Sequence, residues 1–274
     1  MRGLFTSGVL DVFMENGITV DCAVGVSAGA VFGSNYKSGQ IGRGIRYNLK
    51  YTKDPRYKGI RSLLFTGDAF GAEFCFHTLP NELDRFDTES FRNSPMDLYC
   101  VTTDVITGEP VYHKFTDGGY EDLEWMRASA SMPLVSNIVN IGGQKLLDGG
   151  ITDSIPLGFM ESLGYERNIV IHTKLPTFVR ERYSAMPLVR LALHKYPALT
   201  EKIGIRHEMY NSQVEYCKKC EAEGTALGIW PEVSIDVSAM TRDTNELQRI
   251  YDHGREVGLK VKDKVRTFIE GGTL

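Results

Sequence analysis

The reading of the fold turns on Thr19-Val20-Asp21-Cys22-Ala23-Val24-Gly25-Val26-Ser27-Ala28-Gly29. Residues 19–24 are short, apolar and partly β-branched, which predicts a strand, and the small residues after Ser27 predict a helix through Tyr36. The junction is Gly-x-Ser-x-Gly. A serine on such a turn is held above a sheet edge at the positive end of a helix, where a developing oxyanion is favoured. A turn this tight predicts that Gly25 and Gly29 are both needed to keep a Cβ away from neighbouring backbone. With 28 glycines and 16 serines in the chain, the pattern alone arises by chance roughly 0.1 to 0.2 times. Its weight therefore comes from the strand–turn–helix setting. The plainer reading is a serine N-cap or a phosphate-binding turn.

Outward from this turn, residues 8–16 suit a buried helix, with Gly17 at its stop. Further strands are predicted at 97–105, 110–115, 136–141, 145–147 and 233–237, and at 169–172, an apolar run typical of a strand buried on both faces. Helical patterns occupy 120–130, 155–163, 186–195, 201–223 and 245–269. Residues 50–81 are irregular and read as a surface excursion. Strands alternating with helices predict an α/β layer structure with a mostly parallel sheet, and no linker divides residues 1–274 into two domains.

Composition narrows the function. The chain of 274 residues is 42% hydrophobic and carries 31 basic against 35 acidic side chains, a net charge of −4. That balance argues against a nucleic-acid partner held by bulk positive charge. No apolar run approaches the roughly 18 residues of a membrane span. Asp11 and Glu15 interrupt the apolar start, which argues against a secretory leader. Five irregularly spaced cysteines oppose a secreted disulfide framework and favour the cytoplasm. Cys217 and Cys220 share a helical stretch with no second ligand pair, so two reduced thiols are expected rather than a zinc or redox site. Residues 183–197 mix Arg190, His194 and Lys195 with leucines, valine and methionine. That pattern fits an ordinary half-buried helix, or a peripheral contact with a membrane surface.

A nucleophilic serine needs a base. Of the six histidines only His172, at the end of a predicted strand, is a candidate. The other candidate is Asp148, which ends a short apolar strand and precedes Gly149 and Gly150, residues that let backbone approach a reacting group closely. Asp-Gly-Gly is also an ordinary turn, and the residues alone leave both options open.

The ordered set of motifs resembles the patatin-like phospholipases. Ser27 in Gly-x-Ser-x-Gly and Asp148 in Asp-Gly-Gly match the family's serine and aspartate. Arg2-Gly3 with Gly8-Val9-Leu10 and Glu15-Asn16-Gly17-Ile18 resembles its first helix. Thr102-Thr103-Asp104, Thr107-Gly108-Glu109-Pro110-Val111, Ala128-Ser129-Ala130-Ser131-Met132-Pro133 and the run from Asp148 to Pro156 resemble later blocks. The match runs in order from Met1 to about Ile171 and weakens through the helical portion 180–274. Tyr251-Asp252-His253-Gly254 resembles some bacterial members.

The resemblance implies a three-layer α/β/α fold and hydrolysis of fatty-acyl esters of phospholipids or related lipids, with no metal or cofactor. Asp148 would take the proton of Ser27 directly. Arg2, Gly3, Gly25, Ala28, Gly29, Gly149 and Gly150 would be the motif and oxyanion-region residues. In typical members a strand leads into Gly-Gly-Gly-x-Arg-Gly, whereas the sequence here starts at Met1-Arg2-Gly3. Removing one oxyanion donor costs about 3–4 kcal/mol of barrier in known cases. The register therefore predicts either an upstream extension that restores activity or a catalytically impaired chain that acts by binding or oligomerisation. Retention of both Ser27 and Asp148 favours the first. An α/β-hydrolase with a Ser-Asp-His triad is disfavoured, because several strands should then precede the nucleophile.

Overall fold

The computed structural model describes residues 1–272. Helix α1 (Leu4–Glu15) leads to strand β1 (Cys22–Val26), the serine-bearing turn and helix α2 (Ala28–Lys37). Helices α3 (Arg43–Tyr51) and α4 (Ile60–Thr66), a π-helical stretch Phe74–Leu83 and α5 (Thr88–Asn93) precede β2 (Asp97–Asp104) and β3 (Pro110–Lys114). Then come α6 (Tyr120–Ser129), β4 (Val139–Ile141), β5 (Gln144–Asp148), α7 (Leu157–Ser162) and β6 (Asn168–Ile171). The chain continues through α8 (Met186–Ala192), α9 (Pro197–Glu223), β7 (Ala226–Ile229) and α10 (Thr244–Ile269).

The sheet is mixed, which corrects the expectation of a mostly parallel one. β1 runs parallel to β2, while β3 and β5 are antiparallel to β2 and β4 is antiparallel to β5. β6 and β7 form a separate parallel pair. Loop length explains the β2–β3 and β4–β5 pairs, since parallel strands need a long crossover and short connections can only return antiparallel. β4 and β5 are joined by Gly142-Gly143, with φ of 55° and 85°, the two positive values a tight hairpin turn requires.

β2 organises the whole. Its Tyr99 to Thr103 pair with β3 on one edge, so β1 and β5 must share the other edge end to end. β1 finishes there with Val26 opposite Val101, and β5 finishes with Asp148 opposite the very next residue, Thr102. The two strand ends therefore meet head to head. Leu98 and Cys100 point from β2 into a buried cluster with Ala30 of α2 and Trp125, Met126 and Ala128 of α6. On the opposite face Tyr99 packs edge-on against Phe159 of α7, and α7 in turn shares a cluster with Cys217 and Cys220 of α9. Helices thus cover both faces, giving three layers.

Three further expectations change. Residues 233–237 form no strand. The partner of β6 is instead Ala226–Ile229, a run whose alanine and glycine hide its β character. Gly228 there leaves room for side chains, because a Cβ would lie 2.1 Å from Glu221 Oε1 and 2.4 Å from Trp230 Nε1 and both would have to shift. Nor are residues 50–81 a surface excursion as a whole. Tyr51, Tyr57, Phe74 and Leu79 belong to the main core, and the Tyr57 hydroxyl donates to Asn48 Oδ1 at 2.8 Å. In the strand predicted at 169–172, Ile169, Val170 and Ile171 are only partly buried, and His172 lies buried just past the end of β6.

Candidate active site

Ser27 sits between β1 and α2 with φ 55° and ψ −119°. A left-handed φ at a non-glycine residue is strained and persists only where neighbours hold it. Here the Ser27 N–H donates to Ser129 Oγ at 2.9 Å, and Ser129 Oγ donates to the Val101 carbonyl at 2.7 Å. Ser129 is fully buried at the end of α6, so the elbow is pinned to β2 through a single hydroxyl. Gly25 is required as expected, because a Cβ there would lie 2.3 Å from the Ala30 nitrogen. Gly29 is not: nothing lies within 4 Å of its Cβ position. That space is open to the cavity in front of α2. The N–H groups of Ala28 and Gly29 donate to no other group among the described residues.

Asp148 is buried at the end of β5. Burial raises its pKa above the ordinary carboxylate value of 3.8. The Arg206 charge, the nearby Ser27 hydroxyl and the Gly150 N–H pull in the other direction without reversing it. The Gly150 N–H donates to Asp148 Oδ1 at 2.7 Å. The Gly150 carbonyl accepts from Ser154 Oγ at 2.7 Å and from Arg206 Nε at 2.5 Å. Gly149 must be glycine, since a Cβ would fall 2.3 Å from the Val101 carbonyl oxygen. Gly3 packs on the same turn, with its Cβ position 2.7 Å from Ala28 Cβ. An open cavity of about 1110 Å³ runs between β1 and β6 and is lined by Arg2, Ser27, Asp148, Arg180, Arg206 and Tyr210 among others.

His172 is arranged differently. Its ring stacks on Trp230 at 3.4 Å, its Nε2 is buried without a hydrogen-bond partner, and burial drives its pKa down to about 3. It makes no hydrogen bond to Ser27 or Asp148. Asp153, five residues after Asp148, serves the scaffold by accepting from Tyr112 Oη and Gln213 Nε2, each at 2.6 Å. Cys217 and Cys220 are buried, and burial pushes the Cys217 thiol up to about 12.

Sequence reasoning missed three residues that shape this site. Ser129 lay inside a recognised block, but nothing local marks its hydroxyl as the anchor of Ser27. Arg180 and Arg206 come from the segment before α8 and from α9, and only tertiary packing brings them to the cavity.

Comparison with known proteins is consistent with this geometry. Residues 1–160 match a family model described as patatin-like phospholipase, and residues 196–270 match one described as a domain of unknown function. The chain is 27% identical over 174 residues to the lysophospholipase NTE1 of Coccidioides immitis, covering 60% of this chain and 10% of that protein. It is 27% identical over 176 residues to the uncharacterized protein YjjU of Escherichia coli, covering 63% of this chain and 49% of that protein. An uncharacterized NTE family protein of Mycobacterium tuberculosis is 27% identical over 167 residues, covering 58% of this chain and 26% of that protein. The matched region thus spans half or less of the length of these relatives.

Proposed function

The chain belongs to the patatin-like phospholipase family, and on that premise we propose that it hydrolyses lipid acyl esters with Ser27 as nucleophile and Asp148 as base. The observation that supports this reading is the head-to-head meeting of β1 and β5 on adjacent residues of β2, with the elbow serine following the end of one strand and a buried carboxylate ending the other. Asp148 takes the proton from Ser27 Oγ as that oxygen attacks the ester carbonyl carbon. The N–H of Ala28, at the positive end of α2, faces the negative charge that develops on the carbonyl oxygen. The tetrahedral intermediate collapses, and the alcohol leaves with the proton from Asp148. Asp148 then deprotonates water, which attacks the acyl-serine, and the fatty acid is released as Ser27 Oγ leaves with that proton from Asp148.

The substrate is a lipid, and two helices carry exposed apolar side chains suited to contact with it. Ile60, Leu64 and Phe65 on α4 and Leu188 and Leu191 on α8 are all solvent-exposed. Among the described residues no helix is long and apolar enough to cross a membrane, so the contact proposed is peripheral.

A fluorophosphonate probe with p-nitrophenyl ester turnover tests the pair. Wild type should be labelled and Ser27→Ala should not. Asp148→Asn should lose at least about 100-fold in kcat, the lower range for removing a general base. His172→Gln should retain turnover. Loss in His172→Gln with retention in Asp148→Asn would overturn the assignment. An unlabelled, folded wild type would leave a binding protein on the same scaffold.

A further inference from the structure

The cavity in front of Ser27 carries more positive charge than ester cleavage uses, since of its arginines only Arg206 bears on Asp148. Arg2, Arg180 and Arg206 all line it. Among the described residues none of the three guanidinium groups forms an ion pair with a carboxylate. Asp236, the exposed carboxylate on that side, is engaged by Lys174 at 3.6 Å. Burial, followed by the charges of Arg206 and Arg2, holds the Arg180 pKa down to about 10. Three like charges gathered in a half-buried cavity repel one another and lose hydration, and the Asp148 carboxylate can offset only one of them, so the arrangement is costly unless a further anion joins it.

The cluster is held in place by the scaffold. Asn211 of α9 clamps the Arg180 backbone in both directions: its Oδ1 accepts from the Arg180 N–H at 2.8 Å and its Nδ2 donates to the Arg180 carbonyl at 3.0 Å. The Arg180 guanidinium lies 4.4 Å from the Tyr210 ring centroid, and its Nε is buried with no hydrogen-bond partner. Arg206 spends its Nε on the Gly150 carbonyl. Its Nη2 lies 3.0 Å from the Cβ position of Gly150, beside the N–H that holds Asp148. The remaining guanidinium donors of both residues are free for a ligand in the cavity, and their planar forks suit a phosphate.

We propose that Arg2, Arg180 and Arg206 receive a phosphate monoester on the alcohol portion of the substrate, so that acyl esters of glycerol 3-phosphate are preferred over neutral or choline-bearing esters. The proposal rests on the reading of Ser27 and Asp148 as the ester-cleaving pair. A choline group is disfavoured by the same cations. The aromatic ring beside the cluster is already taken, since Arg180 lies over Tyr210 at 4.4 Å. Arg180 lies beyond the patatin-like match, and Arg206 and Tyr210 fall within the stretch that matches a domain of unknown function. That stretch thereby acquires a task, which is to complete the headgroup wall of an active site built by residues 1–160.

The test compares kcat/KM for oleoyl lysophosphatidic acid, monooleoylglycerol and oleoyl lysophosphatidylcholine, each in uncharged detergent micelles. Lysophosphatidic acid should lead by about tenfold or more, the scale of one charge-assisted hydrogen bond. Arg180→Gln should erase most of that lead, chiefly through KM, and Arg180→Lys should keep part of it. Thermal melting checks that both variants fold. A flat substrate ratio in wild type, or a ratio unmoved by Arg180→Gln, would overturn the proposal. Calorimetry on Ser27→Ala supplies a readout free of turnover. Glycerol 3-phosphate should bind, glycerol should not, and Arg180→Gln should weaken the binding about tenfold or more. Inorganic phosphate binding as tightly as glycerol 3-phosphate, with a flat substrate ratio, would assign the cluster to free phosphate and overturn the headgroup reading. If no ester turns over and no probe labels Ser27, the catalytic reading fails, and the calorimetric comparison still decides the anion site.

Discussion

At the scale of single residues, the site sets reactivity against stability. Asp148 is buried, and its folded-state pKa is raised chiefly by that burial. Near or below the ordinary value of 3.8 its carboxyl is protonated in folded and unfolded chains alike. As pH rises the unfolded chain ionises freely while the folded one resists, so stability is lost until the folded pKa is passed. Asp148→Asn keeps an acceptor for the Gly150 N–H and removes this cost. The variant should therefore melt above wild type at about pH 7.5, and the gain should shrink toward zero near pH 3.5. The same ionisation should appear in wild-type kcat/KM on a soluble ester as a rising limb above the ordinary carboxylate range. Equal melting of the two proteins across this range would contradict the burial cost. Ser27, Asp148, Gly25 and Gly149 were legible because tight turns and close backbone approach restrict local residue choice. Ser129 and the two arginines were not, because their roles depend on partners 102, 31 and 56 residues away along the chain. Gly29 shows the reverse case, a glycine that fits the motif without a steric need for it.

At the scale of elements, the sequence located helices better than strand directions. Helical period and caps are local, and the Asp243 carboxylate that starts α10 accepts from Asn245 N–H at 2.9 Å as such a cap should. Whether a strand pairs parallel or antiparallel is decided by connection length and by neighbours, so β3, β4 and β5 escaped the expectation of a parallel sheet. The most constrained element contact is the crossing of α1 and α10. A Cβ on Gly8 would lie 2.2 Å from the Tyr251 carbonyl oxygen, and one on Gly254 would lie 2.1 Å from that of Phe5. The two backbones touch at glycines. The crossing is then fastened by the Tyr251 hydroxyl donating to Asp11 Oδ2 at 2.6 Å and by Arg255 forking onto Glu15 at 2.8 Å. Gly254→Ala has no flexible side chain to displace, only backbone. It should cost about 1–3 kcal/mol and lower the melting temperature by several degrees. Glu256→Ala, on the exposed face of the same helix, should change it little. A tolerated Gly254→Ala would mean that the helices do not cross this closely.

At the scale of the whole molecule, the question is how a protein with net charge −4 meets a lipid surface. The two exposed apolar edges are neighbours through one loop. Ala69, just after α4, donates to the Val135 carbonyl at 2.8 Å, and Asp68 accepts from the Asn137 N–H at 2.8 Å. Leu134 and Ile138 of the same loop pack on the cluster that holds Met186 and Val189 of α8. Met132, Val135 and Ser136 of this loop line the cavity that reaches Ser27, so one loop ties both helices to the cavity wall. Residues 183–197 were legible as amphipathic, and α8 does bury Met186 and Val189 while exposing Leu188 and Leu191. The second edge was hidden because residues 50–81 show no regular pattern, although Phe65 is 82% exposed on α4, more than any other large apolar side chain among the described residues. Scattered exposed apolar residues need no explanation, but two apolar clusters on helices tied to one cavity-lining loop fit an interface with acyl chains. Removing Leu64 and Phe65 together, as Leu64→Ser with Phe65→Ser, should reduce co-sedimentation with phosphatidylglycerol-containing vesicles by about tenfold or more, given the apolar area withdrawn. Melting should stay unchanged, since neither side chain is buried in the core. The rise in ester turnover above the critical micelle concentration should shrink in the same variant. Undiminished vesicle binding would move the lipid contact to a different face of the molecule.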